Sequence, residues 1–305
     1  TVNQIGTRSE TIMTLTHDIK LSIVIAGHNN EHLVRQLFDS FQHIQDIPHE
    51  SIYVDDVSTD NSVSIIENEY PFVQILRNER NLGFAATNNR GIKSSRGEYV
   101  LLMNSDVELL PNSLQRCLEV MDEDPEIGIL GCVLLNSDGS FQGGYGSCQD
   151  FQKSLRILNG RVGRDYQQWR KEFAYEPVIR QVDWVSGAFL LIRRQLLKDI
   201  GLLDERFFFY YEELDFCRRT RNQGWKILFV SDASVYHHHR GTTRVGARVS
   251  HMAAHAIRSH MIYAWEYYKW YQAIVISTYA FTVTIGMVAK SLYLSLRDAN
   301  ERKIT

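Results

Sequence analysis

The chain has few cysteines, and none is placed to build a site. The four, Cys117, Cys132, Cys148 and Cys217, are far apart in 305 residues and form no CxxC pair. That disfavours a zinc site and a disulfide framework and fits a reducing cytosol. An excess of one charge is also missing. Thirty-three Lys and Arg face 36 Asp and Glu for a formal net charge of −3, so nothing calls for nucleic acid as a partner. The first twenty residues lack the apolar stretch of a secretory signal. No GxGxxG follows the first apolar run, and GxxxxGKS/T occurs nowhere. A Rossmann dinucleotide site and a P-loop are therefore disfavoured. Internal repeats and low-complexity segments are absent too.

What is present is ordinary globular material, 44% apolar and 23% charged, enough for one large domain or two smaller ones. KLSIVIAGHNN (20–30) is a buried strand running into a polar loop, and EHLVRQLFDSFQHI has apolar residues at helical spacing. The pattern repeats through SIYVDDVSTDNS, VSIIENEY, FVQILRNERNLGFAATNNRGIKSS, EYVLLMNSDVELL and PNSLQRCLEVMDED. Alternating strands and helices predict an α/β fold, a doubly wound, mostly parallel sheet with helices on both faces. Ligands of such sheets bind beyond the C-terminal strand ends. The polar tails Gly27–Asn30, Asp55–Asp60, Asn81–Gly83 and Asn104–Glu108 all fall there. GSFQGGYGS (139–147) is expected as a flexible loop or short hairpin, and VDWVSGAFLLIRRQLLKDIG as a strand and short helix.

Several residues carry chemistry. Asp106, at a strand tip, is placed to bind a divalent cation bridging a diphosphate, or else is a solvated loop acid or helix cap. His237, His238 and His239 follow the apolar run ILFVSDASVY; one of them can complete a metal shell with Asp106, or the three form a surface run. Arg240 to Arg244 can cradle phosphate oxygens. Asp55 and Asp56 can accept a nucleobase imide N–H or ribose hydroxyls, unless Asp56, Ser58 or Thr59 simply caps the next helix. FFFYYEELDFCRR (207–219) sets five aromatics against Glu212, Glu213 and Asp215. Buried acids need a partner, a metal or a use; Asp215 is expected to pair with Arg218, Arg219 or Arg221.

In order, LSIVIAGHNN, YVDDVSTDNS, RNLGFAATNNRGI, LLMNSDVEL, VDWVSGAFLLIRR and IGLLDERFFFYYEELDFCRRTRNQGWKILFVSDASVYHHHRG resemble family 2 glycosyltransferases of GT-A fold, in particular a rhamnosyltransferase-like branch. The resemblance spans about 20–245. It implies an inverting, metal-assisted transfer of a sugar from a nucleoside diphosphate-sugar, dTDP-rhamnose or a UDP-hexose, to a hydroxyl of a glycan or lipid-linked glycan. It puts the catalytic base on Glu213, one methylene longer than the family's usual Asp. It assigns nucleotide-sugar contacts to Gly27, Asn29, Asp55, Asp56, Asn81, Gly83, Asn104, Asp106 and Arg244, and the acceptor side to Asp183, Trp184 and Glu212. Mg2+ or Mn2+ would be held by Asp106 with His237 or His238. Relatives often carry Thr-Tyr-Asn where this chain has Gly27-His28-Asn29.

The expected layout is an N-terminal extension (1–19), a GT-A domain (20–245) and a C-terminal helical region (246–305). Residues 271–289 carry no charge, with Trp270 and Tyr271 at one end and Lys290 at the other. This segment either packs on the domain or contacts a membrane, lying on it or spanning it, through 270–290. The expected location is the cytoplasmic face of that membrane. Two rivals stand beside the transferase. One is a sugar-nucleotide pyrophosphorylase-type nucleotidyltransferase, although AGHNNEH offers no basic residue before Arg35. The other is a non-catalytic sugar-nucleotide-binding or scaffold subunit of a membrane glycan-synthesis complex.

Overall fold

The unbroken apolar runs of the N-terminal half become the parallel strands at the centre of a ten-stranded sheet. The chain is seen in a computed structural model that describes residues 19–147, 150–158, 178–238, 246–282 and 285–286. Strand β1 (Leu21–Gly27) lies between β2 (His49–Asp55) and β4 (Tyr99–Asn104), parallel to both, and β3 (Val73–Arg77) pairs parallel to β2. The register sets Gly27 beside Asp55 and Ala26 beside Asn104, so the polar tails emerge together along one edge.

Beyond β4 the sheet becomes mixed. β11 (Phe189–Arg193) runs antiparallel to β4 and to β6 (Ile127–Leu135). β12 (Lys226–His237) is parallel to β6 and antiparallel to β9 (Ile179–Gln181), and β5 (Val107–Leu109) closes the order β3-β2-β1-β4-β11-β6-β12-β5. Pairing of β5 with β12 sets His237 opposite Val107. That carries the far C-terminal end of the sheet back to the acid at 106.

Both faces are covered, as the alternation of apolar side chains requires. Ile23 and Ile25 of β1 and Leu101 and Met103 of β4 pack with α1 (Val34–Asp39), α2 (Ser62–Glu69) and α4 (Ser113–Glu123). Val24, Val100 and Leu102 face the other way, toward α3 (Gly83–Ser94), the helix Arg194–Ile200 and the helix Glu212–Asn222. The helix expected over 31–44 tightens after Asp39 into a 3-10 turn, Ser40–Ile44, where the Ser40 hydroxyl donates to the Leu37 carbonyl at 2.6 Å.

Two local expectations change. The strand over VDWVSGAFLLIRR breaks at Ser186–Gly187 into β10 (Trp184–Val185) and β11, because Ser186 N–H bonds the Gly144 carbonyl and Phe189 N–H turns back to Ser186. GSFQGGYGS is not a hairpin. Its first strand, β7 (Phe141–Gly143), joins β6, and its second, β8 (Tyr145–Gly146), joins β10.

At the C-terminus a helix, Gly246–Tyr267, buries Tyr263 against Phe207 and Tyr211. A second helical run over 270–282 lays Ala273 and Ile276 on Ala264, Phe151 and Leu155. Its other face exposes Trp270, Tyr271, Ile274, Val275 and Phe281. Among the described residues no helix is long and apolar enough to cross a membrane.

Candidate functional site

The strand tips surround one open pocket. Its walls include Gly27, His28, Asn30, Asp56, Asn81, Gly83, Phe84, Thr87, Asn104 and Asp106, with Phe208 and Phe209 from the aromatic run. Six of the expected nucleotide-sugar residues are therefore together: Gly27, Asp56, Asn81, Gly83, Asn104 and Asp106. Asn29 and Asp55 stand behind the wall. The Asn29 carboxamide oxygen accepts from Thr59 N–H at 2.7 Å and ties the β1 loop to the β2 loop, while both Asp55 oxygens accept from Ser58 N–H. Arg244, together with 239–243, lies outside the described residues.

Asp56 is an organising residue of this wall. Its Oδ1 accepts from Asn78 Nδ2 and Leu82 N–H, each at 2.8 Å, and its Oδ2 from Gly83 N–H at 3.1 Å. It caps the start of α3 rather than the helix that follows it in sequence. Gly83 has φ +78, and a Cβ there would meet the Phe208 carbonyl at 2.4 Å. Phe84 N–H donates to that same carbonyl at 2.8 Å. The aromatic run and the donor pocket are thus joined by backbone.

The Gly27-His28-Asn29 triplet has a steric cause. A Cβ on Gly27 would lie 2.0 Å from the Tyr53 hydroxyl, so the tyrosine occupies the space a side chain at 27 would need. That hydroxyl donates to Asn30 Oδ1 at 2.7 Å, and Asn30 Nδ2 is buried without a partner. Asn30 and Phe84 are wall residues that sequence reasoning did not single out. The only signal for Asn30 was its place beside Asn29.

At the other end, His237 Nε2 lies 3.2 Å from Asp106 Oδ1 and 3.3 Å from Asn104 Nδ2. The tautomer follows from the far side of the ring. Gln142 Nε2 donates to Asn136 Oδ1 at 2.9 Å and to the His237 carbonyl at 3.0 Å, which leaves Gln142 Oε1 to accept from His237 Nδ1–H at 2.6 Å. Nε2 is therefore the ring nitrogen turned toward the Asp106 carboxylate. Adjacent strand residues alternate in direction, and His238 turns the other way. Its Nε2 contacts Glu108 Oε2 at 2.9 Å and its Nδ1 contacts Ser137 Oγ at 2.8 Å. Of the two histidines expected as partners of Asp106, His237 lies beside it and His238 lies against Glu108. Among the described residues no group of three or more His, Cys, Asp or Glu is placed to hold a metal.

The acid pair follows a costly stretch of backbone. Tyr210 and Tyr211 have φ of 65 and 74, left-handed values that bulky residues rarely adopt. Glu212 is 5% exposed, and Oε2 of both Glu212 and Glu213 is buried without a hydrogen-bond partner. Burial, then the Glu213 charge, pushes the Glu212 carboxyl well above the usual carboxylate range. Burial also raises Glu213, although contact with Glu212 lowers it in part. The two carboxyls influence each other, so the pair as a whole holds a proton more tightly than an ordinary glutamate does. Asp215 is paired as expected, to Arg219 Nε at 2.8 Å, and also accepts from the Tyr267 hydroxyl.

Glu213 is not itself a wall of the pocket. The Phe84 ring, which is one, and the Glu213 Cβ flank Gly187, at 3.5 and 3.7 Å from where a Cβ on that glycine would be. Asp183 and Trp184 sit beside the acid helix and outside the pocket. Asp183 accepts from Arg221 Nη1 at 2.6 Å, and Trp184 Nε1 donates to the Ser147 carbonyl at 3.1 Å.

The Glycosyl transferase family 2 profile matches residues 22–201. N-acetylglucosaminyl-diphospho-decaprenol L-rhamnosyltransferase of Mycobacterium tuberculosis is 30% identical over 239 residues, 73% of this chain and 76% of that protein. A mannosyltransferase of Pyrobaculum calidifontis, solved with GDP-Man and Mn2+, superposes with a TM-score of 0.55 at 16% identity, covering 92% of this chain and 81% of that one. GalNAc-T7, solved with UDP, GalNAc and Mn2+, superposes with a TM-score of 0.58, also at 16% identity. That match covers 80% of this chain but only 48%, about half, of the other. These structures speak to the fold, which is of GT-A type.

Proposed function

Because the chain belongs to glycosyl transferase family 2, we propose that it transfers a sugar, with inversion, from a nucleoside diphosphate-sugar to a hydroxyl of a lipid-linked glycan. The observation that carries this is the pocket at the strand tips, where the Asp106 carboxylate lies 3.2 Å from the His237 Nε2. An oxygen and a nitrogen donor held so suit a divalent cation that takes its other ligands from phosphate and water. Asp106 and His237 would hold it, with Gln142 fixing the ring behind. When bound, such a cation offsets the charge that grows on a departing diphosphate.

The chain's own residues do the rest. Glu213 takes the proton of the acceptor hydroxyl as its oxygen bonds to the anomeric carbon. The bond from that carbon to the diphosphate breaks on the opposite face, and the nucleoside diphosphate leaves with the electron pair. Phe84, Phe208 and Phe209 form an apolar wall of the donor pocket. The relative's name favours a rhamnosyl donor and an N-acetylglucosaminyl-diphospho-lipid acceptor.

A panel of dTDP-rhamnose and UDP-hexoses with Mn2+ tests the reading. One donor should raise the unfolding midpoint, since ligand at about 100-fold over Kd adds ~2.7 kcal/mol, and its sugar should be released or transferred only with metal present. Binding without turnover would favour the scaffold alternative, and no binding by any donor would remove the function.

The outward face of 270–282 belongs to the same reading. Trp270, 70% exposed, and Phe281, 65% exposed, lie on an uncharged helical run suited to the headgroup boundary of a bilayer, at the cytoplasmic side where a lipid-linked acceptor would be met. The protein should float with anionic vesicles, and Ile274→Asp with Phe281→Asp should leave most of it behind. Flotation of that variant equal to wild type would discard the contact.

A further inference from the structure

The helix Gly246–Tyr267 begins well past the family match at 22–201. One stretch of it nevertheless touches most of the loop that leads into the acid pair. Arg258 Nη1 donates to the Arg206 carbonyl at 2.7 Å, and Ser259 Oγ to the Phe209 carbonyl at 2.9 Å. The His255 ring stacks on Phe208 at 4.1 Å between centroids, and His260 on Tyr211 at 5.0 Å with 17° between planes.

We propose that this helix is a positioning element of the transferase site, in which Ser259 and His260 hold the 206–211 loop and thereby set Glu213. The inference rests on the proposed function and deepens it. Two features of the loop call for such a hold. Its last two residues, Tyr210 and Tyr211, keep left-handed φ values that an unsupported chain would leave. Its other side is committed to the donor pocket through the Phe208 carbonyl and Phe84 N–H. The loop is therefore gripped from two sides, by α3 and by the C-terminal helix, and the acid helix starts where the grip ends. Tyr267, on the last turn of the same helix, continues the hold by donating to Asp215 on the acid helix.

His260 acts here as a flat neutral ring. It is 3% exposed, its Nε2 has no partner, and burial lowers its pKa to about 4. A ring of similar shape without nitrogens should serve as well. His260→Phe is thus the conservative variant, and His260→Ala and Ser259→Ala are the disruptive ones.

Each is made in the full chain and read in two ways. Amide hydrogen exchange over 206–213 should rise about tenfold in His260→Ala and Ser259→Ala, stay near wild type in His260→Phe, and stay unchanged in α3. Turnover should fall about tenfold in the two alanine variants, because small displacements of a reacting group are costly. Nucleotide affinity should hold, and His260→Phe should recover turnover. Unchanged loop exchange in both alanine variants overturns the proposal. So does a loss of turnover in His260→Phe as large as in His260→Ala. Should wild type turn over no donor, the transferase reading fails, while the exchange arm still decides whether the helix holds the loop.

Discussion

Replacing Glu213 by glutamine lowers turnover by roughly 10²-fold or more, the usual scale for losing a general base, and leaves nucleotide-sugar affinity nearly unchanged. The split follows from geometry. Glu213 does not line the donor pocket and stands across Gly187 from the wall residue Phe84. Glutamine keeps the shape and removes the proton acceptor. Equal losses in affinity and turnover would instead mean that the side chain supports the pocket, and near-normal turnover would take Glu213 out of the role.

The pH dependence carries the same information. Burial raises the Glu213 pKa, so the basic form is reached only above the ordinary glutamate range, and activity should rise with pH through that higher value. Stability runs the other way. The folded chain binds a proton at the pair more tightly than the unfolded chain does. The penalty is absent below the unfolded pKa and grows as pH climbs toward the folded one. Glu212→Gln should therefore raise the unfolding midpoint over wild type at pH 7 to 8, with the gain vanishing in acid.

Much of this was legible in the sequence, for reasons that differ by element. The apolar runs of β1, β2 and β4 are buried on both faces, so strand and helix alternation alone led to a doubly wound sheet and to its polar tips. The acid pair and Asp106 stood out because carboxylates beside apolar runs need a reason. Direction within a run was not legible. His237 and His238 look alike as letters, but one pleat sends the first to Asp106 and the second to Glu108. Asp55 and Asp56 divide in the same way, one toward Ser58 and the other toward α3. Contacts between distant segments were equally hidden. Nothing in GHNN announces that Tyr53 fills the space beside Gly27, and the uncharged C-terminal stretch drew attention to a membrane and away from the helix before it.

The second large effect is expected at Asp106. Asp106→Ala, His237→Ala and removal of divalent cations by chelation should each lower transfer by roughly 10²-fold or more, since a bound cation contributes several kcal/mol of charge stabilisation to such reactions. His238→Ala should cost only a few-fold, because its ring is occupied by Glu108 and Ser137 on the other side of the strand. The pair of single variants is more informative in combination. If Asp106 and His237 hold one cation between them, the double variant should lose little more than either alone, as residues acting as a unit do. Independent losses that multiply would mean two separate roles. Gln142→Leu supplies a further check. It removes the acceptor that fixes His237 Nδ1–H, so half-maximal activation should need about 10-fold to 100-fold more Mn2+, the range seen when such supporting partners are lost. A wild-type Mn2+ response in that variant, or a His238→Ala defect equal to that of His237→Ala, would place the cation elsewhere.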